Sequence, residues 1–79
     1  MMRWRLRELL GEYQQATGDR LTYEEITAAT DISPNTLSII GTNKAKRADL
    51  DTVERLLSFL SGKLGRQLNT SDLLTWLPE

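Results

Sequence analysis

The sequence contains neither cysteine nor histidine. Without cysteine no disulfide and no thiolate metal site can form, and without histidine the usual general base and the commonest metal ligand are missing. A glycine-rich loop that could cradle a phosphate is lacking as well. We therefore expect that the protein is not an enzyme, and the sequence implies no metal and no cofactor.

Long hydrophobic runs and an excess of either charge are also absent. No apolar stretch approaches the ~20 residues of a membrane helix, so no membrane contact is expected. The first residues interleave arginines with apolar side chains, unlike a secretory signal, which makes the cytoplasm the default location. Ten basic against 11 acidic residues give a net charge of −1, whereas nucleic-acid binders are usually basic.

What is present is enough for one small globular domain over residues 1–79, with 39% hydrophobic residues. Apolar side chains spaced i, i+3, i+4 and i+7 predict two amphipathic helices. The first of these faces consists of Leu6, Leu9, Leu10 and Tyr13, and the second of Val53, Leu56, Leu57 and Leu60. Gly18 should end the first helix, and Asp51 is the predicted cap of the second.

Two shorter helices are predicted between them, separated by a tight turn. Thr22 is a typical N-cap for a helix over 23–30, and Ser33 followed by Pro34 is a strong start for the next. Residues 41–43 should end that helix, because glycine and asparagine tolerate left-handed backbone. Two short helices so close together are typical of a helix-turn-helix.

A fifth short helix is predicted after Thr70 or Ser71, and no segment is a convincing strand. This last helix carries more apolar residues than one face can hide: Leu73, Leu74, Trp76 and Leu77. Trp76 is therefore either a cover over the core or part of an interface, and the same two interpretations apply to Trp4.

The ordered segments 21–38, 44–53 and 69–78 resemble the phage-repressor and Cro type of helix-turn-helix domain, also called the xenobiotic-response-element type. The resemblance covers nearly the whole chain. It implies an all-α fold, a compact five-helix lambda-repressor-like bundle with a central helix-turn-helix. It further implies a sequence-specific DNA-binding regulator, acting as a repressor on double-stranded DNA.

The resemblance makes the third helix the recognition helix, with its N-terminal part directed at base edges. Leu37 and Ile40 would form its buried back, and the predicted base-contacting residues are Asn35, Ser38 and Ile39. Asn35 can make two hydrogen bonds to adenine, and Ile39 can pack on a thymine methyl group. The alternative is that Asn35 is simply a polar residue of a first turn.

Phosphate contacts are predicted beside the recognition helix, where residues 34–48 carry three basic side chains and no acid. Such a local charge can bind phosphates although the whole chain is near neutral. The predicted phosphate-contacting residues are Tyr23, Ser33, Thr36, Lys44, Lys46 and Arg47. A merely solvated loop is the alternative for the last three. No motif points to Arg3, Arg5 and Arg7, which are interpreted as a solvent-facing cluster.

Three residues depart from the family's usual pattern. Many members carry Arg, Lys or Gln where Ile39 stands, Glu where Gly41 stands, and Gln where Tyr23 stands. Because glycine inside a helix costs up to ~1 kcal/mol relative to alanine, the recognition helix is expected to be short.

The resemblance favours a homodimer on a palindromic operator, with two recognition helices about 34 Å apart. The predicted dimer interface is Leu73, Trp76 and Leu77. The alternative function is a protein-interaction module of the same fold, such as an antitoxin or accessory subunit whose partner is a toxin or another regulator. Ile39 and the surplus apolar residues of the last helix favour that alternative. A third interpretation is a domain whose recognition helix has lost its function.

Overall fold

The computed structural model describes residues 1–47 and 49–78, and this part of the chain is mostly helical. The elements, in chain order, are β1 (Met2–Trp4), α1 (Leu6–Thr17), α2 (Tyr23–Thr30), α3 (Pro34–Gly41), α4 (Leu50–Leu64), α5 (Thr70–Leu73) and β2 (Leu74–Trp76). The predicted fold class, five helices around a central helix-turn-helix, is confirmed for the described residues. None of their helices combines the length and the apolar character that a bilayer span requires.

Side-chain caps define the boundaries of the helix-turn-helix. The Thr22 hydroxyl accepts a hydrogen bond from the Glu25 amide at 3.2 Å, and α2 starts directly after it. Asp31 ends α2 in the left-handed conformation, with φ of 63°. The Ser33 hydroxyl then accepts from the Thr36 amide at 3.1 Å, which starts α3 at Pro34. The predicted bounds of both helices are thus confirmed, because the capping bonds are local.

All five helices contribute to one hydrophobic core. The largest side chains that are completely buried are Leu6, Ile26, Leu37, Leu56, Leu60 and Leu73. The long helix α4 packs against α1, α2 and α5, while α3 packs against α1 and α2. The core therefore fixes α3 from behind and leaves its opposite side open to solvent.

The predicted N-cap of the long helix was wrong by two residues. Asp49, not Asp51, is the N-cap, and the Thr52 hydroxyl donates to its carboxylate at 3.2 Å. Asp51 instead lies in the first turn, where its carboxylate pairs with Arg55 at 3.0 Å. Both aspartates suit a helix start chemically, so sequence alone did not separate them. Leu50, the first helical residue, is 82% exposed.

The end of the chain also differs from the prediction. The last helix stops at Leu73, and Leu74–Trp76 pairs antiparallel with Met2–Trp4, so the expectation of no strand was wrong. Trp4 lies opposite Leu74 and Met2 opposite Trp76, and the Arg5 amide donates to the Leu73 carbonyl at 2.6 Å. Strand pairing between segments about 70 residues apart leaves no periodic signal in either segment.

One buried hydroxyl in α2 gives a stability prediction. Thr27 Oγ1 is buried without a hydrogen-bond partner among the described residues. Because an unsatisfied buried hydroxyl costs about 1–3 kcal/mol, Thr27→Val should raise the free energy of unfolding by about 1 kcal/mol. Urea unfolding at neutral pH measures the change.

Thr30 provides the matched control, since it lies in the same helix but its hydroxyl is used. It donates to the Ile26 carbonyl at 2.7 Å and accepts from the Ile32 amide at 3.3 Å. Thr30→Val should therefore destabilise the protein by about 1 kcal/mol or more. Equal effects of the two substitutions would contradict the explanation based on hydrogen bonding.

Candidate nucleic-acid interface

Helix α3 has one buried side and one exposed side. Leu37 is fully buried and Ile40 is 3% exposed, so this side of α3 belongs to the core. Asn35, Ser38 and Ile39 lie on the solvent side, and Ile39 is 39% exposed although it is apolar. The three residues predicted to contact bases thus share one accessible surface.

The two predicted hydroxyl contacts at the start of α3 differ in what they can still donate. Ser33 Oγ donates to Thr36 Oγ1 at 2.9 Å while it accepts from the Thr36 amide. Its hydroxyl hydrogen is therefore engaged within the cap. Thr36 keeps its own hydroxyl hydrogen and is exposed. Thr36 can thus donate to a phosphate without breaking the cap, whereas Ser33 cannot.

Tyr23 lies in the contact between α2 and α3. Its side chain is half-buried, and its hydroxyl lies directly over the backbone of Gly41, the last residue of α3. A Cβ atom at position 41 would overlap the Tyr23 hydroxyl oxygen and approach its Cζ atom to 3.2 Å. The two residues that differ from the family's usual pattern, Tyr23 and Gly41, therefore pack against each other.

The backbone after α3 is fixed by Trp4. The Trp4 amide donates to Asn43 Oδ1 at 2.8 Å, and its indole Nε1 donates to the Ala45 carbonyl at 3.2 Å. Asn43 adopts the left-handed conformation with φ of 60°, as predicted for the end of this helix. Trp4 is only 6% exposed, so it covers the core, and sequence reasoning missed its bonds to the loop.

This anchoring orients the basic loop. Ala45 is half-buried against the core, while Lys44, Lys46 and Arg47 are exposed. None of these three has an ion pair with a described residue. The positive charge predicted for the loop is thus locally uncompensated and faces solvent directly after α3.

Arg55 on α4 contacts the start of the turn between α2 and α3. Its Nη1 donates to the Thr30 carbonyl at 3.0 Å, at the C-terminus of α2, and its Nε contacts Asp51. A cation at a helix C-terminus satisfies a free carbonyl and interacts favourably with the helix dipole. The i, i+4 spacing of Asp51 and Arg55 is visible in the sequence, but the contact with α2 is not.

Two other arginines are paired with carboxylates. Arg66 donates two hydrogen bonds to the Glu12 carboxylate, at 2.9 and 3.0 Å, and Arg3 pairs with Glu8. The hydrogen bonds from Arg66 hold the pKa of Glu12 below its ordinary value and raise the pKa of Arg66. Unlike these two arginines, Lys44, Lys46 and Arg47 have no ion pair with a described residue and can interact with an external anion.

The three residues predicted for the dimer interface lie in different environments. Leu73 is completely buried in the core, whereas Trp76 is 64% and Leu77 37% exposed. Met1 and Met2 are also more than half exposed, and pairing of the terminal strands brings them beside Trp76 and Leu77. We call these four exposed side chains the terminal apolar patch. Leu73 supports the patch from within rather than forming its surface.

The fold and the site together define a DNA-binding helix-turn-helix domain: capped short helices, a recognition helix exposed on one side, and a basic loop after it. The family model of the Cro/C1-type HTH DNA-binding domain matches residues 5–79. The chain therefore belongs to this family, which confirms the resemblance read from the sequence. No match was found among curated proteins or among solved structures.

Membership of the family indicates the partner and the general functional class of the protein. It identifies duplex DNA as the partner and indicates a DNA-binding regulator, and domains of this type are typically not enzymes. The described residues hold no group of three or more acidic, histidine or cysteine side chains placed to bind a metal.

Proposed function

We propose that this protein is a sequence-specific transcriptional regulator that binds a palindromic operator as a homodimer and represses by occupying it. In this proposal residues 1–79 act as a single DNA-binding domain in the cytoplasm. The observation that carries it is the exposed side of α3, which is continuous with an uncompensated basic loop. A surface that combines base-reading side chains with cations is what major-groove recognition requires.

Base reading is assigned to Asn35, Ser38 and Ile39. The Asn35 amide lies in the first turn of α3, where it can make paired hydrogen bonds to adenine. Ser38 contributes an exposed hydroxyl, and exposed Ile39 offers an apolar contact that suits the methyl group of thymine. The proposal therefore predicts an operator rich in A·T pairs beneath this helix.

Phosphate contacts are assigned to the groups that border this surface: Tyr23, Ser33, Thr36, Lys44, Lys46 and Arg47. Among them Lys44, Lys46 and Arg47 carry the charge, and Thr36 has a free hydroxyl hydrogen. The Ser33 hydroxyl would contact a phosphate only after releasing Thr36, and the Tyr23 hydroxyl is directed towards Gly41. We therefore expect the loop cations to dominate the electrostatic part of binding.

Dimerisation is assigned to the terminal apolar patch, which supplies the accessible members of the predicted interface, Trp76 and Leu77. Exposed tryptophan is enriched at interfaces and often dominates their energetics. The patch lies on the strand pair whose Trp4 contacts the backbone after α3. With extents of 35 × 23 × 19 Å, two copies are of a size to place recognition helices about 34 Å apart.

The decisive experiment is selection of bound duplexes from a random DNA pool at about 0.1 M salt, followed by sequencing. An enriched palindrome with half-site centres about 10 bp apart would support a dimeric regulator. No enrichment by protein that circular dichroism shows to be folded would reject a stand-alone regulator.

Asn35→Ala should weaken binding to the selected operator by about 1–3 kcal/mol and relax preference at one position of each half-site. Gln15→Ala on α1 is the matched control, because it removes an exposed amide away from α3. Fluorescence anisotropy with operator and scrambled duplexes measures both. If the two variants bind alike, Asn35 does not read a base.

The alternative, a protein-interaction module such as an antitoxin or accessory subunit, is favoured by one observation. Besides Leu50, the terminal apolar patch and Ile39 expose apolar surface at two places on the described chain. A toxin or another regulator could cover either place. Failure of DNA selection combined with a monomeric state in sedimentation would favour this alternative.

A further inference from the structure

Two arginines outside the predicted contact set lie beside the recognition helix. Arg7 of α1 and Arg20, which precedes α2, line a cleft of about 650 Å³ with Ser38, Gly41 and Thr42 of α3. Arg7 also lines a second cleft with Thr42 and Asn43. Sequence reasoning treated Arg7 as part of a solvent-facing cluster. Arg3 and Glu8 also line that second cleft, but Arg3 pairs with Glu8, whereas Arg7 has no ion pair with a described residue.

The charges of Arg7 and Arg20 are not compensated by an ion pair with any described residue. Gly41 leaves room beside the Arg7 side chain. A Cβ atom at position 41 would already be in van der Waals contact with Arg7 Cγ, at 3.9 Å, so a larger side chain there would narrow the cleft. The cleft beside α3 is thus open and has two free guanidinium groups on its rim.

The other polar groups at the cleft favour an anion on balance. Glu24 is the one acidic residue among those lining it, so the lining charge is +1. The Thr22 hydroxyl accepts from the Glu25 amide and keeps its own hydrogen to donate. Ser38 adds a further hydroxyl on the side of α3 that is proposed to face DNA.

We propose that this cleft binds a backbone phosphate of the operator, held by Arg7 and Arg20. The inference rests on the proposed function and extends the interface from α3 and its loop to α1 and the α1–α2 connection. Guanidinium groups match phosphate geometry and keep their charge at all relevant pH values. The site therefore contributes affinity and fixes the orientation of α3, but it does not read sequence.

The test compares Arg7→Gln and Arg20→Gln with Lys63→Gln, a change of equal charge on α4 outside both clefts. Each phosphate contact adds about 0.9 to the slope of log K against log salt, which is about 1.8 for a dimer. Because both arginines hold the same phosphate, each arginine variant should reduce the slope by up to about 1.8. The loss of affinity between 50 and 200 mM salt should shrink by up to about 12-fold.

Two further variants distinguish charge at this site from a structural effect. Arg7→Lys should retain most of the slope, and Glu24→Gln should increase affinity, because it removes the one carboxylate at the cleft. The ratio of operator to scrambled-duplex affinity should not change in any of them. If Arg7→Gln fails to fold, Arg20→Gln alone decides.

Slopes of both arginine variants equal to that of Lys63→Gln would overturn the inference while leaving the proposed function intact. Wild-type protein that binds no duplex would overturn both. A slope that falls for Lys44→Gln but not for either arginine would confine the phosphate contacts to the basic loop.

Discussion

Replacing Gly41 by alanine should lower the free energy of unfolding by about 1–3 kcal/mol, although alanine is ordinarily the better helix former. The reason is the Tyr23 hydroxyl, which occupies the space of a Cβ atom at this position. Tyr23 is half-buried and packs against the core, so displacing its hydroxyl disturbs the contact between α2 and α3. Thermal and urea unfolding give the change directly.

Two other helical glycines serve as controls. Nothing lies within 4 Å of a Cβ atom at Gly11 in α1 or at Gly62 in α4. Gly11→Ala and Gly62→Ala should therefore stabilise the protein by about 0.5–1 kcal/mol each. Destabilisation by all three alanines would show that the explanation based on Tyr23 is wrong.

A double-mutant cycle isolates the pair. In a Tyr23→Ala background the space above residue 41 is empty, so Gly41→Ala should become neutral or slightly stabilising. The coupling energy between the two positions should then be about 1–3 kcal/mol, within the range for residues in contact. A coupling near zero would mean that the two departures from the family pattern are independent.

The second large effect is expected at Trp76. Trp76→Gln should raise the dissociation constant of the proposed homodimer by about 1,000-fold. A central interface tryptophan is worth at least about 2 kcal/mol, and a two-fold interface contains it twice. Sedimentation equilibrium measures the dimer constant. Affinity for the palindrome should fall by about 10²–10⁴-fold, because each half-site then binds separately.

Leu50→Gln is the matched control for this variant. Leu50 is the most exposed of the large apolar side chains in the described chain, at 82%, and lies on α4 away from the terminal apolar patch. It should change neither the dimer constant nor the fold. Trp76 is itself 64% exposed, so its loss should leave the circular dichroism spectrum intact. A dimer that persists unchanged would exclude the patch as the interface.

Local chemistry accounts for what could be predicted. Thr22 and Ser33 define their helices through bonds to amides three residues away, and Pro34 fixes the first dihedral of α3. The i, i+3 spacing of Leu37 and Ile40 likewise predicts which side of α3 is buried. These signals lie within one turn of the residues they specify.

The failures involve contacts between residues distant in sequence. Leu74–Trp76 carries enough apolar residues to be read as helix, and only pairing with Met2–Trp4 makes it a strand. Both Tyr23 and Gly41 looked unusual separately, but their separation of 18 positions hid the contact that relates them. The one sequence signal for this contact was that both residues of the same motif differ from the family's usual pattern.

The sequence by itself determined the class of this protein: capped short helices in a fixed order, a recognition helix with one polar side, and three cations after it. Those features depend on bonds and periodicities within about one helical turn. Only the tertiary structure decided which groups surround that helix. It placed Trp4 under the basic loop, Arg7 and Arg20 beside α3, and Leu73 in the core. Such neighbours are selected by packing of a shared core, which depends on the whole chain at once.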